Sequence, residues 1–303
     1  MDNSLPPVDV PNAFDIYEDV DYRLYWQSLS RRKLDELERA ILRELLPPRG
    51  SAVIDLGCGY GRLFPCYADR FEHIVLFDGS ESLLRQAQSS HRERALYVLG
   101  DINRLPFRPA AFDAVVMVRV FHHLNRPDQV MKSIAGILCR DGALVFNYSN
   151  KRNLLQMLKY RLGRTKHNPF SPEPLTVEAN FFHHHPASVS GLLAGLGFQK
   201  LIHRGAGVFD KLAPILGPLS RFSPAGMSLA PWLGRTALAP WIFCKAQLPD
   251  APPQAAAGHP EELLACPVCG GAVKRRGSVL ACAACPQEYP VRDGIVDMRT
   301  QRT

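Results

Sequence analysis

The chain has 303 residues, is 46% hydrophobic and 21% charged, and carries a formal net charge of +7. That balance buries a substantial core, and the length suits one large domain with a small one beside it. No apolar run is long enough to span a bilayer, and the opening Met1-Asp2-Asn3-Ser4 lacks the basic end and apolar run of a secretory signal, so a cytoplasmic protein is expected.

Residues 1–30 read as an N-terminal flap in which Tyr17, Tyr22, Tyr25 and Trp26 would cover a bound ligand. Arg31 to Leu46 follows as an amphipathic helix with Leu34, Leu37, Ile41, Leu42 and Leu45 on one side, stopped by Pro47-Pro48. Next, Val53 to Gly61 reads Val-Ile-Asp-Leu-Gly-Cys-Gly-Tyr-Gly, a buried strand running into a turn that glycine alone makes tight enough for close approach to a ligand. Gly57, Gly59 and Gly61 are spaced G-x-G-x-G behind Asp55. A dinucleotide fingerprint places its third glycine three positions after the second, so the spacing counts against NAD. A second strand, His73 to Phe77, ends at Asp78, followed by Gly79-Ser80 and a helix from Glu81 to Ser89. A carboxylate at such a strand end can accept hydrogen bonds from both ribose hydroxyls. Val98 to Ile102, then Leu105-Pro106-Phe107, then Phe112 to Val118 supply a third strand, a turn and a fourth strand.

Taken in order, Asp55 to Gly61, Asp78 and Asp101 resemble the motifs of class I S-adenosylmethionine-dependent methyltransferases. The resemblance implies an α/β, Rossmann-like fold with a seven-stranded, mostly parallel sheet and helices on both faces. It also implies S-adenosylmethionine as cofactor, held by Asp55, Gly57, Cys58, Gly59, Gly61, Asp78 and Gly79, with Asp101 meeting the adenine amino group, Ile102 packing on the ring and Arg119 bordering the site. Methyl transfer from a sulfonium is an in-line displacement that mainly needs alignment and exclusion of water. Where the acceptor must lose a proton, His122 and His123, just past the fourth strand, are the candidate bases, with packing as the alternative for His122.

Pro127 opens the next helix, with Val130, Met131, Ile134, Ile137 and Leu138 buried and Asp141-Gly142 as its stop. Ala143 to Ser149 is the fifth strand, and Phe198 to His203 with Trp241 to Lys245 would close the sheet as an antiparallel pair, completing a domain over 31–247. Within it, 151–240 is the variable acceptor or lid region. Lys151 to Lys166 holds six basic residues and no acidic one, interleaved with Leu154, Leu155, Met157, Leu158, Tyr160 and Leu162. Three readings are open here: a core-packing helix with a solvated basic face, a lipid-like acceptor with contact to an anionic membrane, or RNA, which wants more aromatic platforms than Tyr160 alone. Residues 211 to 242, with Phe222, Trp232 and Trp241, resemble a lid. His183, His184 and His185 are adjacent, point in different directions and lack a third partner, so no metal is assigned to them.

Residues 248–260 contain four prolines and no apolar period, as a linker does, and 261–303 form a small terminal module. Cys266, Cys269, Cys282 and Cys285 are spaced C-x2-C-x12-C-x2-C, which fits a closed, structural four-thiolate zinc site; two disulfides or an iron-sulfur centre are the alternatives. Cys58, Cys66, Cys139 and Cys244 are expected to be buried and inert. The text around the four ligands is similar to the small zinc-ribbon proteins that activate methyltransferases of the translation apparatus. That similarity implies intramolecular docking of the ribbon on the catalytic domain. The reading as a whole is a methyltransferase acting on a small-molecule or lipid-like acceptor. An RNA or translation-factor methyltransferase is the alternative, and a non-catalytic cofactor-binding adaptor a third; the Asn-Pro-Pro-Tyr signature of amino-group methylation is absent, Asn147-Tyr148-Ser149-Asn150 standing at its strand end.

Overall fold

A computed structural model describes residue 26 and residues 28–178, 180–207, 237–254 and 256–300. Tyr17, Tyr22 and Tyr25 of the expected flap, and Phe222 and Trp232 of the expected lid, lie outside the described residues. Helix α1 (Leu29–Leu45) starts where the Ser28 hydroxyl accepts from the Arg31 N–H, and buries Leu34, Ile41, Leu42 and Leu45. Strands β1 (Gly50–Leu56) and β2 (Phe71–Asp78) then run parallel in register, Asp55 opposite Leu76. Helix α2 (Glu81–His91), capped by the Ser80 hydroxyl, leads to β3 (Leu96–Leu99). Next come β4 (Phe112–Met117), α3 (Pro127–Ile137) and β5 (Leu138–Ser149).

The expected helix stop at Asp141-Gly142 falls inside β5. Asp141 takes a positive φ of 59° there, and the pairing with β4 jumps from Phe112–Leu138 to Ala114–Ala143. The residues form a bulge, because α3 passes into β5 without an intervening loop. Beyond β5 lie α4 (Leu154–Arg161), a hairpin of β6 (Leu175–Glu178) and β7 (Phe181–His183), α5 (Pro186–Gly195), β8 (Gln199–Ala206) and β9 (Trp241–Leu248).

The central order is β3-β2-β1-β4-β5-β9-β8, with β9 antiparallel to both its neighbours. Alternate residues feed two cores. Ile54, Phe77, Val115, Phe146 and Ile242 meet α3 and α5 on one face, while Val53, Leu76, Val116, Val145 and Phe243 meet α1 and α2 on the other.

The sheet does not end at seven strands. The terminal module contributes β10 (Val273–Arg276), β11 (Val279–Cys282), β12 (Glu288–Arg292) and β13 (Ile295–Asp297), and β13 lies parallel to β3, Val296 opposite Val98, to make eleven. A strand left at a sheet edge presents unpaired N–H and C=O groups, and β13 satisfies them. Leu263, Leu264, Tyr289 and Met298 join the same apolar cluster as Phe77 and Phe107, so the two modules share one core.

Residues 248–260 are strapped down. The Arg140 N–H donates to the Pro252 carbonyl at 2.7 Å, Gln254 Nε2 donates to Asp113 Oδ2 at 2.7 Å, and His73 Nε2 lies 3.1 Å from the Ala257 carbonyl. The segment therefore passes from the β9 side to the β3 side with its polar groups tied to the amino ends of the intervening strands. Among the described residues no helix is long and apolar enough to cross a membrane.

Candidate functional site

In an open parallel sheet, ligands bind beyond the carboxyl ends of the strands where the strand order reverses, here between β1 and β4. β1 delivers the glycine turn to that point. Gly57 sits at φ 71°, where a Cβ would fall 2.3 Å from the Val120 methyl, so no other residue fits. Gly59, at φ 55°, has nothing within 4 Å of where its Cβ would be: the turn leaves open space on the ligand side. The Gly57 and Cys58 N–H groups donate to the Phe77 carbonyl at 2.8 and 3.1 Å, which pins the turn to β2. Asp78, at the end of β2, accepts from the Gly59 N–H at 2.7 Å and from the Ser80 N–H at 2.9 Å.

Below the turn, Asp55 is buried and accepts from the Tyr67 hydroxyl at 2.6 Å. Burial pushes its carboxyl up to about 7, against the lowering effects of the Tyr67 hydrogen bond and the Arg62 charge. A carboxyl whose folded pKa is raised contributes stability that is complete below the unfolded value and is lost as pH rises through the folded one. Asp55→Asn keeps an acceptor for Tyr67 and cannot ionise. Its melting temperature, compared with the parent's, is therefore expected to gain ground between pH 4 and 7; parallel curves across that range would disprove the burial effect.

The remaining expected cofactor residues are distributed as follows. Gly61 closes the turn, its carbonyl 3.0 Å from His91 Nε2, and Gly79 lies between Asp78 and the Ser80 cap. The Cys58 thiol is buried and pushed well up, by burial first and then by Asp78 and Asp55, so it stays protonated. Asp101 accepts from the Asn103 N–H and side-chain amide at 2.9 and 2.8 Å, which forms a tight turn after β3. Ile102 puts its side chain into the core. Arg119 takes a positive φ of 67° and donates its N–H to Asn147 Oδ1 at 2.7 Å. Its guanidinium turns toward α1 and donates to Glu38 at 2.8 Å.

Glu38 is a site residue that sequence reasoning missed. Its carboxylate is fully buried, accepts from Arg119 Nε at one oxygen and from Arg62 Nη2 at 2.8 Å at the other. Arg62 also pairs with Asp35 and lies 4.0 Å above the Trp26 ring, and Arg119 lies 3.8 Å above Trp241. Burial alone would lower the Arg62 pKa, and Glu38 and Asp35 outweigh it, so the guanidinium is held charged. The signal was present in sequence: Glu38 falls on the apolar side of α1, in step with Leu34, Ile41, Leu42 and Leu45.

Past β4 the chain forms an aromatic cluster. The His122 ring lies 4.1 Å from His123, 4.6 Å from Phe181 and 5.0 Å from Trp241. Burial, then His123 and Arg119, push the His122 pKa well down, so this imidazole is neutral, and its Nδ1 is buried with no hydrogen-bond partner. His123 Nδ1 lies 2.7 Å from the Asn180 carbonyl, which makes it the protonated nitrogen and Nε2 the basic one. The adjacent histidines at the end of β7 diverge: His183 Nδ1 bonds the Ser149 hydroxyl, whereas the His184 ring lies tilted 4.7 Å from Phe121 and is pushed down to about 4 by burial and by His183.

In the terminal module Cys266, Cys269, Cys282 and Cys285 present four sulfurs within 4.8 Å of one another. The closest pairs are 3.4 to 3.6 Å apart, too far for disulfides and near the roughly 3.8 Å edge of a tetrahedron with metal–sulfur bonds of about 2.3 Å. The Gly271 and Ala284 N–H groups donate to the Cys269 and Cys282 sulfurs, each at 3.4 Å, as thiolate ligands require. It is the one such ligand group among the described residues. Cys58, Cys66, Cys139 and Cys244 are buried and unpaired.

A parallel sheet in this order, closed by an antiparallel pair and with acids behind and beside a glycine turn, is the class I methyltransferase fold. Residues 54–146 match the family model described as a methyltransferase domain, and residues 262–294 match the model described as Trm112p-like protein. The chain thus joins a methyltransferase domain to a Trm112p-like zinc-ribbon domain. It is 32% identical to a malonyl-(acyl-carrier protein) O-methyltransferase of Pseudescherichia vulneris over 106 residues, 35% of this chain and 42% of that one. It is 28% identical to probable tRNA methyltransferase 9B of Bos taurus over 148 residues, 48% of this chain and 30% of that one. The matches span less than half the length of the first three curated relatives. Among solved structures, the complex of the Haloferax volcanii Trm112 methyltransferase activator with a methyltransferase shares the fold, with a TM-score of 0.55 at 16% identity over 79% of this chain and 99% of that one.

Proposed function

We propose that this protein is an S-adenosylmethionine-dependent methyltransferase that transfers its methyl group in line to a small-molecule or lipid-like acceptor, with a structural zinc ion in its ribbon. The observation that carries this reading is the joint placement of the open Gly59 turn and Asp78 at the carboxyl ends of β1 and β2. Gly57, Cys58, Gly59, Gly61, Asp78, Gly79, Asp101 and Ile102 would hold the cofactor from below and Asp55 would brace the turn. Arg119 borders the site as the staple to α1. The cofactor supplies an electrophilic methyl group on a sulfonium. The chain orients the acceptor and excludes water. His123, with Nε2 as its basic nitrogen, is the candidate to accept a proton from a hydroxyl or ammonium acceptor, and His122, whose protonation its buried surroundings oppose, packs beside it.

Calorimetric titration tests the cofactor assignment. S-adenosylmethionine is expected to bind with a stoichiometry of about one, and Asp78→Ala to weaken it about a hundredfold, through lost charge-assisted hydrogen bonds and a loosened Gly59 turn. Full affinity in the variant would defeat the reading.

Support for a lipid-like acceptor comes from α4. Of the three readings of this segment, exposure favours contact with an apolar partner: Leu154 and Leu158 of α4 and Leu162 just past it are 47%, 52% and 57% exposed, and none of the helix's residues is buried. Apolar groups flanked by Lys159, Arg161, Arg164 and Lys166 suit peripheral contact with an anionic membrane. An RNA or translation-factor acceptor is the second reading, favoured by the Trm112p-like domain and the tRNA-methyltransferase relative. Steeply salt-dependent RNA binding, with no partition onto anionic vesicles, would decide for it.

A further inference from the structure

Between α4 and the β6–β7 hairpin lies a pocket of about 360 Å³, at the small end of the range for ligand sites. Its polar lining includes Lys151, Asn153, Gln156, His167, Thr176 and His183. Lys151 is the unusual member. Its residue is 6% exposed, and its ammonium donates to the backbone carbonyl of Glu173. No carboxylate of the described residues pairs with it, although a buried ammonium is ordinarily balanced by an anion. Burial lowers its pKa, and the Glu173 charge raises it only in part. Arg152 and His185 stand close by, so positive charge gathers around the Lys151 ammonium.

The rim has the opposite character. Val177, which lines the pocket, is 52% exposed, and Leu154 and Phe170 are 47% and 40% exposed on the two segments that border it. A polar, cation-headed pocket framed by exposed apolar side chains matches an amphiphile, with its head enclosed and its chain leaving along α4. The inner wall leads toward the methyl-transfer side: His183 is 5.4 Å from Phe181, which is 4.6 Å from His122.

We propose that this pocket is the head-group site of the acceptor and takes an acidic amphiphile, its carboxylate or phosphate paired with Lys151 and its apolar chain lying against Val177 and the leucines of α4. The inference rests on the lipid-like acceptor reading and names the acceptor's chemical class.

Titrating the full-length protein with octyl phosphate, octanoate and octyl glucoside, each below its micellar range, provides the test. At least one of the two acids is expected to bind saturably and about tenfold or more tighter than the glucoside; which of them does so tells phosphate from carboxylate. Lys151→Gln is expected to remove that preference and leave glucoside and S-adenosylmethionine affinities unchanged. Val177→Asp, at an exposed position that does not threaten folding, is expected to weaken the acids severalfold and serves if Lys151→Gln does not fold. Equal affinity for acids and glucoside, absence of saturable acid binding, or full acid affinity in the variant that folds would each overturn the proposal. Cofactor titration in the same samples keeps the two readings apart, because indifference to acids with intact cofactor binding removes only the head-group site.

Discussion

Glu38→Ala is expected to destabilise the protein by about 3 to 5 kcal/mol, because it leaves the Arg62 and Arg119 guanidiniums charged, enclosed and without their shared anion. For a chain of this size that corresponds to a fall in melting temperature of roughly 5 to 8 °C. Glu38→Gln, which retains one acceptor oxygen but no charge, should lie between the two. The loss reaches the site as well. Arg119 holds its left-handed backbone with a guanidinium clamped to Glu38 and stacked on Trp241, and its N–H orients Asn147 at the end of β5. Thermal and urea unfolding of the two variants check this; a change under about 1 kcal/mol would mean that water screens the network as it does a surface pair.

Removing the zinc ion proposed for the four cysteines should be more damaging still. Structural zinc contributes an apparent value of about 10 to 16 kcal/mol to the folding of zinc-finger peptides near pH 7, and a module of this size is seldom stable without such a centre. Chelation, or Cys269→Ser, is expected to unfold residues from Leu263 to Met298, separate β13 from β3 and bare the part of the core that Phe107 shares with Leu264 and Tyr289. Metal analysis should return about one zinc per chain, and hydrogen exchange should accelerate in β3 as well as in the ribbon once the ion is withdrawn. Unchanged exchange across Leu96 to Leu99 would show that the ribbon contributes nothing to that edge.

Local chemistry made much of this visible from sequence. The glycine turn, Asp55, Asp78 and the cysteine knuckles are short patterns whose spacing is itself the geometry, and the structure sets the first three side by side at the carboxyl ends of β1 and β2. The α1 stripe, the central strands and the antiparallel close were readable from their periods. What escaped depends on contacts distant in sequence. Glu38 meets partners 24 and 81 residues away, and only its intrusion into an apolar stripe hinted at them. The pairing of β13 with β3 uses backbone groups that every residue carries, so composition could not name the receiving edge. The bulge at Asp141-Gly142 reads like a helix end because glycine after a polar residue serves both purposes. The exposed leucines of α4 are indistinguishable in sequence from buried ones, since a helical period reports a face and not what covers it.

The strap beneath the sheet has one more consequence. Because residues 248–260 carry the ribbon of the same chain to β3, the two modules meet in fixed one-to-one proportion, whatever the dilution. A free-standing protein of the ribbon type would meet that edge of the sheet already paired.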